Sequence, residues 1–155
     1  MCFVNWSRYN YINNIHIIFS VPFKWKSLPL LEKKLIVKPS KIPDCGLGLF
    51  TKELITTQRL IIEYKGKVIT WKECKHDIDN HYLYFISTKR VIDAKRTKKA
   101  IARYANDARG IKKVKGITNN CVFTNDGKKV YIKSIKNIAA GSKILVRYNK
   151  EYWVL

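Results

Sequence analysis

A mostly β fold with short helices is what this sequence predicts, on three observations. From Leu35 onward, short runs rich in β-branched and aromatic residues alternate with turn-forming stretches, the pattern of strands joined by tight connections. Asn125-Asp126-Gly127, between two such runs, is a clear hairpin turn. Thr70-Trp71-Lys72-Glu73 is a capping box, but the helix it opens is short, reaching about Ile78. A chain of 155 residues suits one domain and can bury a real core.

The elements follow in order. Leu35–Lys38 reads as a strand, followed by a turn through Pro39-Ser40-Lys41-Ile42-Pro43-Asp44. Gly46 and Gly48 flank Leu47, and without a Cβ they let the backbone approach a ligand closely. Leu60–Tyr64 and Lys67–Thr70 are strands joined by a tight turn at Lys65-Gly66, which predicts a hairpin. Glu73, Asp77 and Asp79 stand out in a basic chain, either as a solvated helix face or as an attractor for a cationic peptide. Tyr82-Leu83-Tyr84-Phe85-Ile86 reads as a buried strand, and Val91–Ala94 as another. In Ala102–Arg109, aromatic and apolar residues interleave with Asn106 and Asp107, which favour irregular turns. Taken alone that stretch is a solvated turn. Cys121–Phe123 and Lys129–Lys136 complete the strands.

Charge and cysteine usage bound the function. A formal charge of +20 predicts attraction to nucleic acid, acidic membranes or an acidic protein surface. Its densest window, Thr88–Lys115, holds eleven Lys/Arg against two Asp. Cys2, Cys45, Cys74 and Cys121 lack metal-ligand spacing, and His16, His76 and His81 are scattered. No metal is expected, and a reduced intracellular protein is the simplest inference. Met1–Leu30 is rich in aromatics and isoleucine, but its greasiest run, Ile15–Phe23, is shorter than the about 20 apolar residues of a membrane span. Residues 1–34 therefore read as an extension of unknown role and 35–155 as the domain.

Four blocks keep a telling order: Gly46-Leu47-Gly48-Leu49-Phe50; Ile62–Ile69; Val91-Ile92-Asp93-Ala94 running into Ala102–Arg109; and Ile138-Ala139-Ala140-Gly141 through Ile144–Tyr148, closed by Tyr152-Trp153. Together they resemble the SET domain, the catalytic module of many protein-lysine methyltransferases. The likeness runs from about Leu35 to Trp153 and is nearest to compact viral and bacterial members without flanking zinc modules. It implies short curved sheets, a β-clip-like fold, and a C-terminal pseudoknot that sets the Asn106 block beside the Tyr148 block, an exception to the usual avoidance of threaded loops. It also implies S-adenosylmethionine as methyl donor, a lysine substrate with histone tails foremost, and a nuclear or chromatin location.

Site residues follow from the resemblance. Tyr148 is the expected catalytic phenol, orienting the substrate amine, with Tyr82 and Tyr84 near the lysine channel or the cofactor. Gly46, Leu47 and Gly48, with Arg103, Tyr104, Asn106 and Asp107, are expected to hold the cofactor. Tyr152 and Trp153 would offer flat surfaces to the adenine or the channel; read without the family, they are core packing. Three departures are visible. Asn106-Asp107-Ala108 stands for the usual Asn-His-Ser, which bears on cofactor affinity and would set a carboxylate near the adenine. Ser142-Lys143 replaces the usual acidic pair, and Asn149 a common Gly. Val146 lacks the phenol that limits some members to one methyl. A domain without flanking modules would complete its groove by homodimerising. The competing reading is a catalytically silent module of this type that binds nucleic acid or chromatin through 88–115.

Overall fold

The computed structural model describes residues 28–42, 46–77, 79–109 and 114–148. Tyr152, Trp153, Asn149 and most of the N-terminal extension lie outside them. Leu35–Pro39 (β1) pairs antiparallel with Leu47–Thr51 (β2), bringing Lys38 opposite Gly48. Ahead of β1, the Leu31 N–H donates to Ile61 O at 2.7 Å, so the packed unit reaches back at least to Leu31.

A second sheet orders Leu60–Glu63 (β3), Val130–Ser134 (β8), Cys121–Asn125 (β7) and Val146–Arg147 (β9) as β3-β8-β7-β9. β7 and β8 form the hairpin that Asn125-Asp126-Gly127 predicts. Asn125 Oδ1 accepts the Gly127 N–H at 3.2 Å, Asp126 Oδ1 accepts the Lys129 N–H at 2.7 Å, and Gly127 takes a φ of +84°. β9 is short and runs parallel to β7, with Cys121 opposite Val146.

The third sheet, β4-β6-β5, joins Lys67–Ile69 (β4), Arg90–Asp93 (β6) and Leu83–Ser87 (β5). The structure corrects the sequence here. β3 and β4 do not pair as a hairpin: β3 lies on β8 and β4 on β6. The Tyr64 N–H continues toward β8, donating to Val130 O at 2.8 Å. Gly66 then passes the end of β6 so closely that a Cβ would sit 2.5 Å from Asp93 O. The glycine serves a crossing between sheets, not a hairpin turn.

Two further expectations shift. The helix after the capping box is one turn, Trp71–Cys74 (α1). The Glu73 carboxylate accepts the Thr70 N–H at 2.6 Å, fixing the start, but no apolar stripe follows to bury more. β5 is half exposed rather than buried, because it is a sheet edge: Tyr84 and Ile86 pack on the core while Phe85 is 51% exposed. The core draws on every sheet, with Leu49, Ile61, Val91, Ile132, Ile144 and Val146 all buried. Among the described residues no helix is long and apolar enough to cross a membrane.

Candidate active site

The site is assembled by the segment Lys143–Tyr148. Its backbone is held on several sides: Ile144 N–H donates to Leu49 O at 2.8 Å, Val146 N–H to Asn106 O at 2.8 Å, and Leu145 O accepts the Cys121 N–H at 2.9 Å. The Asn120 amide adds a clamp, donating to Lys143 O and accepting the Leu145 N–H, both at 2.8 Å. The segment is thereby inserted among β2, the Asn106 loop and β7, the pseudoknot arrangement, and Tyr148 emerges beside Ala105–Asp107.

Three points fix Tyr148. Its hydroxyl donates to Ala105 O at 2.6 Å, its N–H donates to Asp107 Oδ2 at 2.8 Å, and its carbonyl accepts from the Arg109 guanidinium. Asp107 is 2% exposed. Asn119 Nδ2 donates to its Oδ1 at 2.8 Å, and Arg109 pairs with its Oδ2 at 2.8 Å. Burial pushes the Asp107 carboxyl upward, but the hydrogen bonds from Arg109, Asn119 and Tyr148 outweigh it and hold the group below its ordinary value. The same bond raises the Arg109 guanidinium. The carboxylate that departs from the family pattern is therefore engaged within the protein, where it positions the backbone of Tyr148.

An aromatic wall adjoins the phenol. Phe123 stacks on Tyr148 with centroids 6.4 Å apart, and Tyr84 and Tyr64 meet Phe123 edgewise at 5.1 Å and 5.6 Å. Burial raises the Tyr84 hydroxyl, so it stays a neutral phenol. Tyr82 lies with two of the residues expected to hold the cofactor. The Arg103 guanidinium lies 3.8 Å from its ring centroid and 5.5 Å from that of Tyr104. Arg103 Nη1 also donates to Ala94 O and Lys95 O, both at 2.6 Å. Tyr82 precedes β5 and its neighbours differ: Tyr84 joins the Tyr148 cluster, and Tyr82 joins Arg103 and Tyr104.

The glycine loop meets the same corner. Gly46 takes a φ of +52°. Gly48 leaves room that a Cβ would fill, 3.2 Å from Asn106 Oδ1 and 2.6 Å from Lys143 Cε. Leu47 is largely exposed beside it. Gly48 and Asn106, far apart in sequence, thus face one space. Among the described residues no group of three or more His, Cys, Asp or Glu could hold a metal.

Sequence reading missed Phe123, Arg109, Asn119 and Asn120. The signal for the last two was present: two adjacent amides enter a buried strand at Cys121, and polar groups there need partners.

Comparison with known proteins agrees with this geometry. The SET domain profile matches residues 46–149. The histone-lysine N-methyltransferase ASHH1 of Arabidopsis thaliana is 32% identical over 91 residues, covering 54% of this chain and 18% of that protein. Histone-lysine N-methyltransferases described as H3 lysine-36 specific, from Mus musculus and Homo sapiens, are each 30% identical over 118 residues, covering 68% of this chain and 4% of theirs. The chain spans less than a fifth of the length of these relatives.

Proposed function

The chain belongs to the SET domain family, and on that premise we propose that it is an S-adenosylmethionine-dependent protein-lysine N-methyltransferase, with residues 35–155 as the catalytic domain. The observation that carries the reading is the Tyr148 hydroxyl, anchored to Ala105 O beside an aromatic wall. The cofactor fits the residues present, since Gly48, lacking a Cβ, brings its backbone close to the Asn106 amide under the flexible Lys143 side chain. Gly46, Leu47, Gly48, Asn106 and the cluster of Arg103 with Tyr104 are the groups that would hold it; S-adenosylmethionine, when bound, supplies the electrophilic methyl group.

The chain's own residues do the rest. A lysine amine attacks only when neutral, and its ordinary pKa is about 10.4. A channel lined by Tyr84, Phe123 and Tyr148 disfavours the ammonium form and lowers that value. With its proton committed to Ala105 O, the Tyr148 oxygen acts as acceptor for the amine N–H and so aims the lone pair. Positioning of this kind is worth roughly 7–11 kcal/mol at best.

Tyr148→Phe tests this directly. It removes one oxygen, keeps the ring, and should slow single-turnover methyl transfer by about a hundred- to a thousandfold, or ~2.7–4 kcal/mol. Cofactor affinity should hardly change, and the protein should stay folded while losing about 1–3 kcal/mol of stability with the bond to Ala105 O. Equal rates for mutant and wild type would remove Tyr148 from the catalytic role.

Histones are the substrate class we favour, in a nuclear or chromatin setting, and the acidic residues of the groove wall bear on which form. Glu73 is engaged by Thr70, and Asp77 pairs with Lys95 at 3.1 Å. Thr70 is neutral, so Glu73 keeps its charge, and Asp79 is exposed. Lys95 offsets Asp77, and exposed Lys67, Lys72 and Lys75 outnumber the two acidic groups that remain. Exposed Lys89, Arg96, Lys98, Lys99 and Lys115 instead suit nucleosomal DNA while the groove takes the tail. The same surface favours a second reading, a silent module that binds chromatin. Absence of methyl transfer by wild type to histones, nucleosomes or lysate, with binding retained, would select it. A homodimer completing the groove would appear in sedimentation as twice the 18.2 kDa mass.

A further inference from the structure

We propose that Lys143 binds the carboxylate of the cofactor's amino-acid end; the assignment rests on the S-adenosylmethionine reading above. Lys143 is opposite Phe50 in an antiparallel bridge, and Lys38 is opposite Gly48. Alternation along β2 puts Gly48, Phe50 and the Lys143 side chain on one face. The Lys143 stem lies over Gly48, its Cε only 2.6 Å from where a Cβ would be. Glycine at that position is what gives the lysine its path.

The ammonium end is also placed. Lys143 Nζ donates to Ser40 Oγ, and that hydroxyl is fixed in turn by the Ile42 N–H at 3.0 Å and by donation to Ile42 O at 3.3 Å. Lys38 adds a second cation to this face, its Nζ 4.3 Å from the Phe50 ring centroid. Asn106 Oδ1 lies beside the same position, 3.2 Å from where the Cβ would be. An amide oxygen and a lysine side chain thus meet at one glycine, with the ammonium held close by at Ser40. The pair complements a zwitterion: the amide oxygen accepts from an α-ammonium, and Lys143 donates to an α-carboxylate. An acidic residue at 143 would repel that carboxylate. The basic one gives this chain a ligand-facing charge of the opposite sign.

The experiment is calorimetric titration of the full chain with S-adenosylmethionine and with its decarboxylated analogue. Wild type, Lys143→Met and Lys143→Arg are compared, with thermal melts alongside. A charge-assisted bond of ordinary strength predicts that Lys143→Met weakens S-adenosylmethionine about ten- to a hundredfold and leaves the decarboxylated analogue unchanged. Lys143→Arg should retain most of the affinity. Equal loss for both ligands would make Lys143 a structural prop and overturn the proposal. So would tighter binding by Lys143→Met, which would make the side chain a plug across the cleft. If wild type binds neither ligand, the cofactor reading itself falls, and this proposal with it.

Discussion

Asp107 holds Tyr148 by its backbone, and the bond can be read out by pH. The Asp107 carboxyl is held below its ordinary 3.8 in the folded protein. A group depressed on folding contributes stability in full above its unfolded value, and loses it as pH falls through the folded one. The melting temperature of wild type should therefore drop as pH is lowered below about 4, while Asp107→Asn should show a shallower fall there. At neutral pH, Asp107→Ala should cost about 3 kcal/mol, the low end for breaking a buried pair, because Arg109 keeps part of its exposure. Methyl transfer should fall too, since the Tyr148 N–H loses its acceptor. An unchanged acid limb in Asp107→Asn would show that the carboxylate is not held as the geometry describes. Sequence alone offered Asp107 as a departure from the family pattern and as one of the residues expected to hold the cofactor. Arg109 is a near neighbour, but Asn119 and Tyr148 lie farther along the chain, and only the fold brings them to the carboxylate.

At the scale of elements, local chemistry was legible and pairing was not. The Asn125-Asp126-Gly127 turn and the Thr70–Glu73 capping box are closed by bonds between near neighbours, so a few residues specify them. The Lys65-Gly66 turn looks equally local, but which strands then pair depends on β8 and β6, far along the chain. Tyr82 and Tyr84 show the same limit: alternation gives them a common side of the strand, while Arg103 and Phe123 draw them into different clusters. Gly66→Ala tests the crossing. Its Cβ would meet backbone, Asp93 O at 2.5 Å, which cannot swing aside as a side chain can. Overpacking of this sort typically costs about 1–3 kcal/mol, so the denaturation midpoint should drop accordingly. A variant as stable as wild type would mean that β4 and β6 separate there without strain.

For the whole molecule, the charge of +20 overstates the surface open to a polyanion. Arg90, Arg103 and Arg109 direct their guanidinium groups at protein acceptors: Lys128 O, Ala94 O and Asp107. In the described part of 88–115, Lys89, Arg96, Lys98, Lys99 and Lys115 remain exposed, while Lys95 pairs with Asp77. If all five met phosphates, log affinity for DNA would fall by about 4.5 per log unit of salt, at about 0.9 for each. Nucleosomes should accordingly be methylated faster than free histones at low salt, with the advantage lost as salt rises. A salt-independent preference, or none, would reduce this face to a solvated surface.

The inserted segment also dictates an order of events in time. Tyr148 is synthesised after every described group it touches, and the Asn106 loop, β2 and β7 must be near their final places before Lys143–Tyr148 can seat among them. Contacts this distant along a chain form late and slowly. A nascent polypeptide can thus gather its β1–β2 and β7–β8 hairpins while still lacking the phenol, the Lys143 ammonium and the wall they complete. The corner around Tyr148 is therefore complete only once this last described segment has seated.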